Sequence, residues 1–289
     1  MLETLVSVGL VCSVGIGAER GGRATNQDNY LVCRGGTIRF REGDGEAVVR
    51  APPRRDLLFA VADGMGGHED GDVASAAAVQ AVSRLQFAEL PREPELALRE
   101  FFLQTHARVR ERVSQSGEVK MGTTLTVAWL ARGRVVWVHV GDSRLYHWRE
   151  GRLTRITRDH TREEFAMRDR RAVPDHPRYL AQNFVFGSRG LGNDESLRID
   201  PGIDTGAFSV RPGDRLLLST DGLHARLEDA QLAHGVSSVP EAQACALALS
   251  ERALAHGSDD NITALVVRID GAPSADEESD GDENTIIPV

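Results

Sequence analysis

The sequence predicts an α+β fold built as a sheet-on-sheet core with helices outside it. Three observations carry that prediction. Strand-like segments come in runs, helical segments come in pairs, and neither alternates in the βαβ manner of a parallel sheet. There is no internal repeat and no interdomain linker before residue 271, so residues 1–270 are expected to form one domain. The first run is VSVGLVCSVGIGA, DNYLVC, GEAVVRA and LLFAVAD, rich in β-branched and apolar residues. VASAAAVQAVSRLQFAEL follows, with small and apolar residues three and four apart, as a helix face requires. Pro91 and Pro94 punctuate the chain, and ELALREFFLQTHARVRERV forms a second helix. The second run of strands is TTLTVAWLA, RVVWVHVGD, RLYHWRE and GRLTRIT. Residues 161–192 are charged and contain His176-Pro177, which suggests an insertion over the surface. SLRIDPGIDTGAFSV and DRLLLSTD then return as strands, VPEAQACALALSERALAH as a helix, and ITALVVRI as a closing strand.

Composition narrows the function. The chain has 289 residues, 41% hydrophobic and 27% charged, enough to bury a sizeable core. Six of its nine net negative charges lie in the last nineteen residues, GAPSADEESDGDENTIIPV, so the remainder carries only −3. That balance argues against a nucleic-acid-binding surface. The stretch 271–289 is acidic and poor in aromatics, the composition of a disordered tail. Cys12, Cys33 and Cys245 form neither a disulfide framework nor a metal-type spacing, which suits a reducing compartment. The apolar run 4–18 follows Met1-Leu2-Glu3 with no positive leader, and no window reaches the ~18 apolar residues of a membrane span. The expectation is a cytoplasmic monomer with no membrane contact.

One feature resists a purely structural account. Asp63, Asp142 and Asp221 close strand patterns, while Asp28 and Asp260 stand just before others, and Gly64, Gly141 and Gly222 adjoin three of the five. Aspartate is a poor strand residue and a common turn former, which explains any one position. Five carboxylates gathered at the rim of a core would repel each other unless a cation offset the charge. Hard divalent ions prefer such oxygen ligands. A glycine beside a ligand leaves room for backbone carbonyl and water to reach an ion.

RATNQD, ADGMGGH, MGTTL, GDSRLY, STDGL and DDNIT occur in that order over roughly residues 10–270. The series resembles the motifs of the metal-dependent protein phosphatases, the type 2C serine/threonine phosphatases. The resemblance implies a four-layer αββα sandwich, two antiparallel sheets packed face to face between helix pairs. It also implies a phosphoserine/phosphothreonine phosphatase with two tightly bound Mn²⁺ or Mg²⁺ ions and a third, weak one. By the same resemblance Asp63 bridges two ions and the Gly64 carbonyl binds one of them. Asp28, Asp221 and Asp260 complete the site, mostly through water, and Asp142 with Asp221 holds the third ion. Arg23 holds the substrate phosphate, and its planar fork of donors suits that role. Two ions about 4 Å apart would acidify a bridging water for in-line attack on phosphorus. The implied partners are phosphorylated proteins and an opposing serine/threonine kinase.

Several residues compete for attention. Gln27 stands where many family members carry Glu, which would make one contact to ion-bound water neutral. His68 suits a turn better than a hard-ion ligand. Thr123 and Thr124 read as ordinary strand residues. The family's variable flap corresponds to residues 159–192. CRGGTIR at 33–39 fits the C-x5-R loop of cysteine-dependent phosphatases, but no helix pattern follows the loop to lower the thiol pKa. Two other functions share the same residues: a catalytically silent phosphoprotein-binding module, and a phosphoesterase for small phosphoesters.

Overall fold

The computed structural model describes residues 11–52, 56–65, 71–87, 93–116, 122–160 and 203–271. The predicted tail from 272 onward, His68 and flap residues 161–192 lie outside them. In chain order come β1 (Val11–Glu19), β2 (Asp28–Arg34), β3 (Thr37–Glu42), β4 (Gly45–Arg50) and β5 (Leu57–Met65). Helix α1 (Gly71–Ser83) and α2 (Pro94–Ser116) follow, then β6 (Gly122–Thr123), β7 (Leu125–Ala131), β8 (Arg134–Val140), β9 (Arg144–Arg149) and β10 (Arg152–Arg155). The chain ends with β11 (Asp204–Ser209), β12 (Arg215–Ser219), α3 (Asp221–His224), α4 (Asp229–Ser238), α5 (Ala242–Ala255) and β13 (Ile262–Gly271).

These strands make two antiparallel sheets, ordered β1-β13-β12-β9-β10 and β11-β8-β7-β5-β2-β3-β4, with β6 beside the end of β5. Side-chain alternation turns the sheets into four layers. Along β2, Tyr30 and Val32 enter the core between the sheets, while Leu31 and Cys33 enter the core under α1 and α2. Along β13, Leu265 and Val267 face the other sheet, and Ala264 and Val266 pack under α3, α4 and α5. A strand covered on both faces reads as a continuous apolar run, which is why LLFAVA lacks alternation. Phe59, fully buried in β5, stabilises the fold by about 2–3 kcal/mol through burial alone.

Several local expectations change. CRGGTIR is a β2–β3 hairpin turning at Gly35–Gly36, both at positive φ, a two-residue turn that fits strand twist. β3 was hidden by its charged residues. Cys33 is buried in β2 and burial pushes its thiol up to about 12, the opposite of an activated thiolate. Asp221 does not end a strand: β12 stops at Ser219 and Asp221 opens α3. Asp142 likewise lies beyond the end of β8, because Gly141 takes a φ of +115° that extended backbone cannot continue. The pattern TTLTVAWLA is broken at Thr124, between β6 and β7.

Candidate metal centre

The register brings the five aspartates to one edge of the sandwich. β2 starts where β5 ends, and Asp28 pairs directly with Asp63 across the ladder. Side chains so placed have Cβ atoms about 5 Å apart, and like charges there are destabilising. On the other sheet, Ser219 at the end of β12 pairs with Ala264 near the start of β13, so Asp221 and Asp260 leave their strands at the same edge. Asp142 joins them on the turn between β8 and β9.

The electrostatics show what this costs without a cation. Burial raises Asp28 to about 7, and the charges of Asp221 and Asp260 add to the rise. Asp142 also reaches about 7, from burial first and then from Asp221 and Asp159. Asp63 is pushed well above the usual carboxylate range by burial and by Asp28, Asp221 and Asp142. Burial and Asp260 raise Asp221 too, against a hydrogen bond from Asp63. Each of these carboxyls is biased toward its neutral form, a bias that a bound cation would oppose.

Only some of the lone pairs are satisfied. Asp28 Oδ2 accepts from Thr220 Oγ1 at 2.7 Å and Thr263 Oγ1 at 2.8 Å, which fixes the carboxylate rotamer. Asp28 Oδ1 and Asp221 Oδ1 are buried with no hydrogen-bond partner. An orphaned anionic oxygen is expensive in a protein interior unless a ligand completes it. The donor set is all oxygen, which fits Mn²⁺ or Mg²⁺ and not a soft metal. Among the described residues no three Asp, Glu, His or Cys side chains close on an ion by themselves. Hard-ion sites commonly leave positions for water and backbone carbonyls, and Gly64 adjoins this one.

Gly64 is bare for a further reason. A Cβ there would lie 2.0 Å from the Gly71 carbonyl oxygen and 2.6 Å from that of Gln27. Its N–H donates to the Gln27 carbonyl at 3.1 Å, and Ser75 Oγ donates to the same oxygen at 2.7 Å. Three segments cross at Gly64, and a side chain would part them. Close packing, and not only room for an ion, therefore requires glycine at position 64.

Thr123 and Thr124 do more than fill a strand. Asp63 N–H donates to Thr124 Oγ1 at 2.8 Å, Thr124 N–H donates to Asp63 C=O at 2.8 Å, and Thr123 Oγ1 donates to that carbonyl at 2.9 Å. The threonines therefore hold the Asp63 backbone in place. Arg23, on the exposed β1–β2 loop, donates from Nη2 to Asp260 Oδ2 at 2.8 Å. Gln27 serves through its backbone carbonyl. The loop carrying Arg23 also walls, at Arg20 and Asn26, a cleft of about 520 Å³ closed by Glu19, Tyr30, Arg41 and Asp44.

A β-sandwich with an all-oxygen, charge-frustrated edge and an exposed arginine paired to it defines a class, a protein whose carboxylate edge suits hard divalent ions. The comparisons with known proteins supply the family. Residues 44–256 match the family model described as Protein phosphatase 2C, and the chain belongs to that family. It is 33% identical over 213 residues to serine/threonine protein phosphatase PstP of Mycobacterium tuberculosis, covering 73% of this chain and 40% of that protein. This chain thus spans well under half the length of that relative. It is 30% identical over 247 residues to serine/threonine phosphatase stp of Listeria monocytogenes, covering 81% of this chain and 93% of that protein. The crystal structure of the PstP catalytic domain, in complex with two manganese ions, superposes with a TM-score of 0.69 at 30% identity, covering 90% of this chain and 99% of that one.

Proposed function

We propose that this chain is a metal-dependent protein-serine/threonine phosphatase. The observation that carries the reading is the charge frustration of Asp28, Asp63, Asp142 and Asp221, which a divalent cation would relieve. Asp63, Asp221 and Asp260, with the Gly64 carbonyl, would hold two ions, Asp28 would act through water, and Asp142 with Asp221 would hold a third. When bound, Mn²⁺ or Mg²⁺ supplies Lewis acidity toward water and the phosphoryl group. The protein's own residues do the rest. Thr220 and Thr263 fix the Asp28 carboxylate, and Thr123 and Thr124 fix Asp63. Arg23 is exposed and reaches the carboxylate edge, so it can turn from Asp260 to a substrate phosphate with little rearrangement.

Phosphoproteins fit better than small phosphoesters. The loop that carries Arg23 walls an open, polar cleft through Arg20 and Asn26, so chain flanking a phosphoserine has somewhere to lie. The silent-module alternative needs a lost ligand, and all five aspartates are at the edge. An opposing serine/threonine kinase is the matching partner. No described helix is long and apolar enough to cross a membrane. Activity on a phosphopeptide should vanish in EDTA and return with Mn²⁺. Full turnover in EDTA, or its loss on Cys33→Ser, would overturn the reading.

A further inference from the structure

Asp142 stands on a turn that histidines hold, and the chemistry above uses none of them. The turn has little regular structure of its own, since β8 ends at Val140 and β9 begins at Arg144. Gly141 lies against Thr124, whose Cβ would be 2.7 Å from any Cβ placed there. His160, fully buried, closes around the Gly141 peptide from both sides. Its backbone N–H donates to the Gly141 carbonyl at 2.7 Å, and its Nδ1 accepts from Gly141 N–H at 3.2 Å. An amide N–H can only donate, so Nδ1 carries a lone pair and the ring proton sits on Nε2. That proton faces Asp204 Oδ2, 3.3 Å away on β11.

The support continues behind the pair. Asp204 is the register partner of His139 on β8, whose ring lies 4.8 Å from that of His160 at 54°. His139 is itself fixed between Thr126 Oγ1 at 2.8 Å and the Arg158 carbonyl at 3.0 Å. On the other side, His224 of α3 interacts with the Asp142 backbone, and its Nδ1 meets Ser219 Oγ at 3.0 Å. The Asp142 turn is thereby tied to the helix that Asp221 opens.

We propose that His160, oriented by Asp204, is the positioning residue that aims the Asp142 carboxylate. A space-filling residue would not need its two polar faces matched, one to an amide N–H and the other to a carboxylate. The catalytic consequence rests on the phosphatase reading of Asp142, whereas the clamp on Gly141 does not. Asparagine and glutamine separate the two faces. The amide oxygen of Asn superposes on Nδ1 and can accept from Gly141, while the longer Gln presents its amide nearer Nε2 and cannot.

The test compares His160→Asn, His160→Gln and His160→Ala in the full chain. The first readout is amide hydrogen exchange at Gly141 in the metal-free protein, followed by NMR. Gln and Ala should accelerate it about tenfold or more while Val138 in β8 keeps its protection, and Asn should restore it. The second readout is turnover of a phosphopeptide with Mn²⁺. His160→Gln should lose about tenfold in kcat, His160→Asn should lose much less, and His160→Gln combined with Asp142→Ala should be no worse than Asp142→Ala alone. Equal exchange in Asn and Gln variants, protection lost evenly along β8 and β11, or multiplied losses in the double variant would each overturn the proposal. If Asp142→Ala leaves turnover intact, the catalytic reading of Asp142 fails and the aiming role with it. Gly141 exchange then reports separately whether the clamp exists.

Discussion

Two groups of buried aspartates in this molecule obey opposite rules. Asp214, on the turn before β12, receives Arg149 Nε at 2.8 Å, Arg149 Nη2 at 2.6 Å and the Arg211 N–H at 2.9 Å, and His147 Nε2 lies 3.0 Å away. Burial alone would raise its pKa, yet these partners hold it below the usual carboxylate range. Asp28 is as well buried, and burial carries it to about 7 with Asp221 and Asp260 adding to the rise, because the Thr220 and Thr263 hydroxyls offset only part of it. The same residue type in the same degree of burial is a finished ion pair in one place and an unfinished site in the other. What separates a structural aspartate from a ligand here is whether the protein supplies the cation.

The largest expected effect tests that contrast directly. Asp63→Asn should lower kcat by at least ~100-fold, since on the proposed reading both ions depend on that carboxylate. Its metal-free melting temperature should equal or exceed wild type, because a repulsion is removed. Asp214→Asn should do the reverse, keeping activity per folded molecule and losing about 2 kcal/mol in denaturant melts, discounted for the partly exposed Arg149. If Asp63→Asn melts early and still turns over, the distinction collapses.

Much of the contrast was legible in the sequence, and the reasons are local. Asp63, Asp142 and Asp221 stand out because aspartate rarely follows apolar strand residues, and Gly beside each narrows the explanation. The two sheets followed from runs of strands. What escaped depends on distant pairs. Thr220 and Thr263 meet Asp28 across 192 and 235 residues, and nothing in a strand distinguishes a threonine that orients a carboxylate from one that packs. His160 reaches Gly141 from 19 residues away. α4 was missed although Glu228 and Gln231 form a capping box at its start, a signal that was available in LEDAQ.

A smaller effect sharpens the comparison through pH. Asp28 and Asp142 keep protons in the folded state up to about pH 7, whereas the unfolded chain releases them near 3.8. Between those values the folded state binds more protons, so metal-free stability falls as pH rises through 7. The depressed Asp214 contributes the other way, but its stabilisation is lost only below 3.8, outside that window. In EDTA the melting temperature should therefore be several degrees higher at pH 6 than at pH 8. Mn²⁺ should remove or invert that slope, since binding displaces the protons. A flat EDTA profile would mean that the edge carboxylates are ionised without a cation.

The smallest expected effect concerns the ion pair between Arg23 and Asp260, an aspartate at the carboxylate edge that does have a cationic partner. Arg23 and Asp260 pair at 2.8 Å with side chains 57% and 39% exposed. Such a surface pair contributes at most about 1 kcal/mol, so Arg23→Ala should barely change the melting temperature. If Arg23 were to Asp260 what Arg149 is to Asp214, removing it would leave a carboxylate unsupported and weaken the site. The phosphatase reading says otherwise, because Asp260 then has an ion to hold and Arg23 has a phosphate. On that account Arg23→Ala keeps Mn²⁺ affinity or tightens it slightly, as a competing cation has gone. KM for a phosphopeptide should rise about tenfold, and Arg23→Lys should recover only part of it, since an ammonium cannot grip phosphate with two parallel bonds. Calorimetric titration with Mn²⁺ and steady-state kinetics decide between them. Weaker Mn²⁺ binding at unchanged KM would make Arg23 a scaffold for Asp260 and leave the phosphate without its arginine.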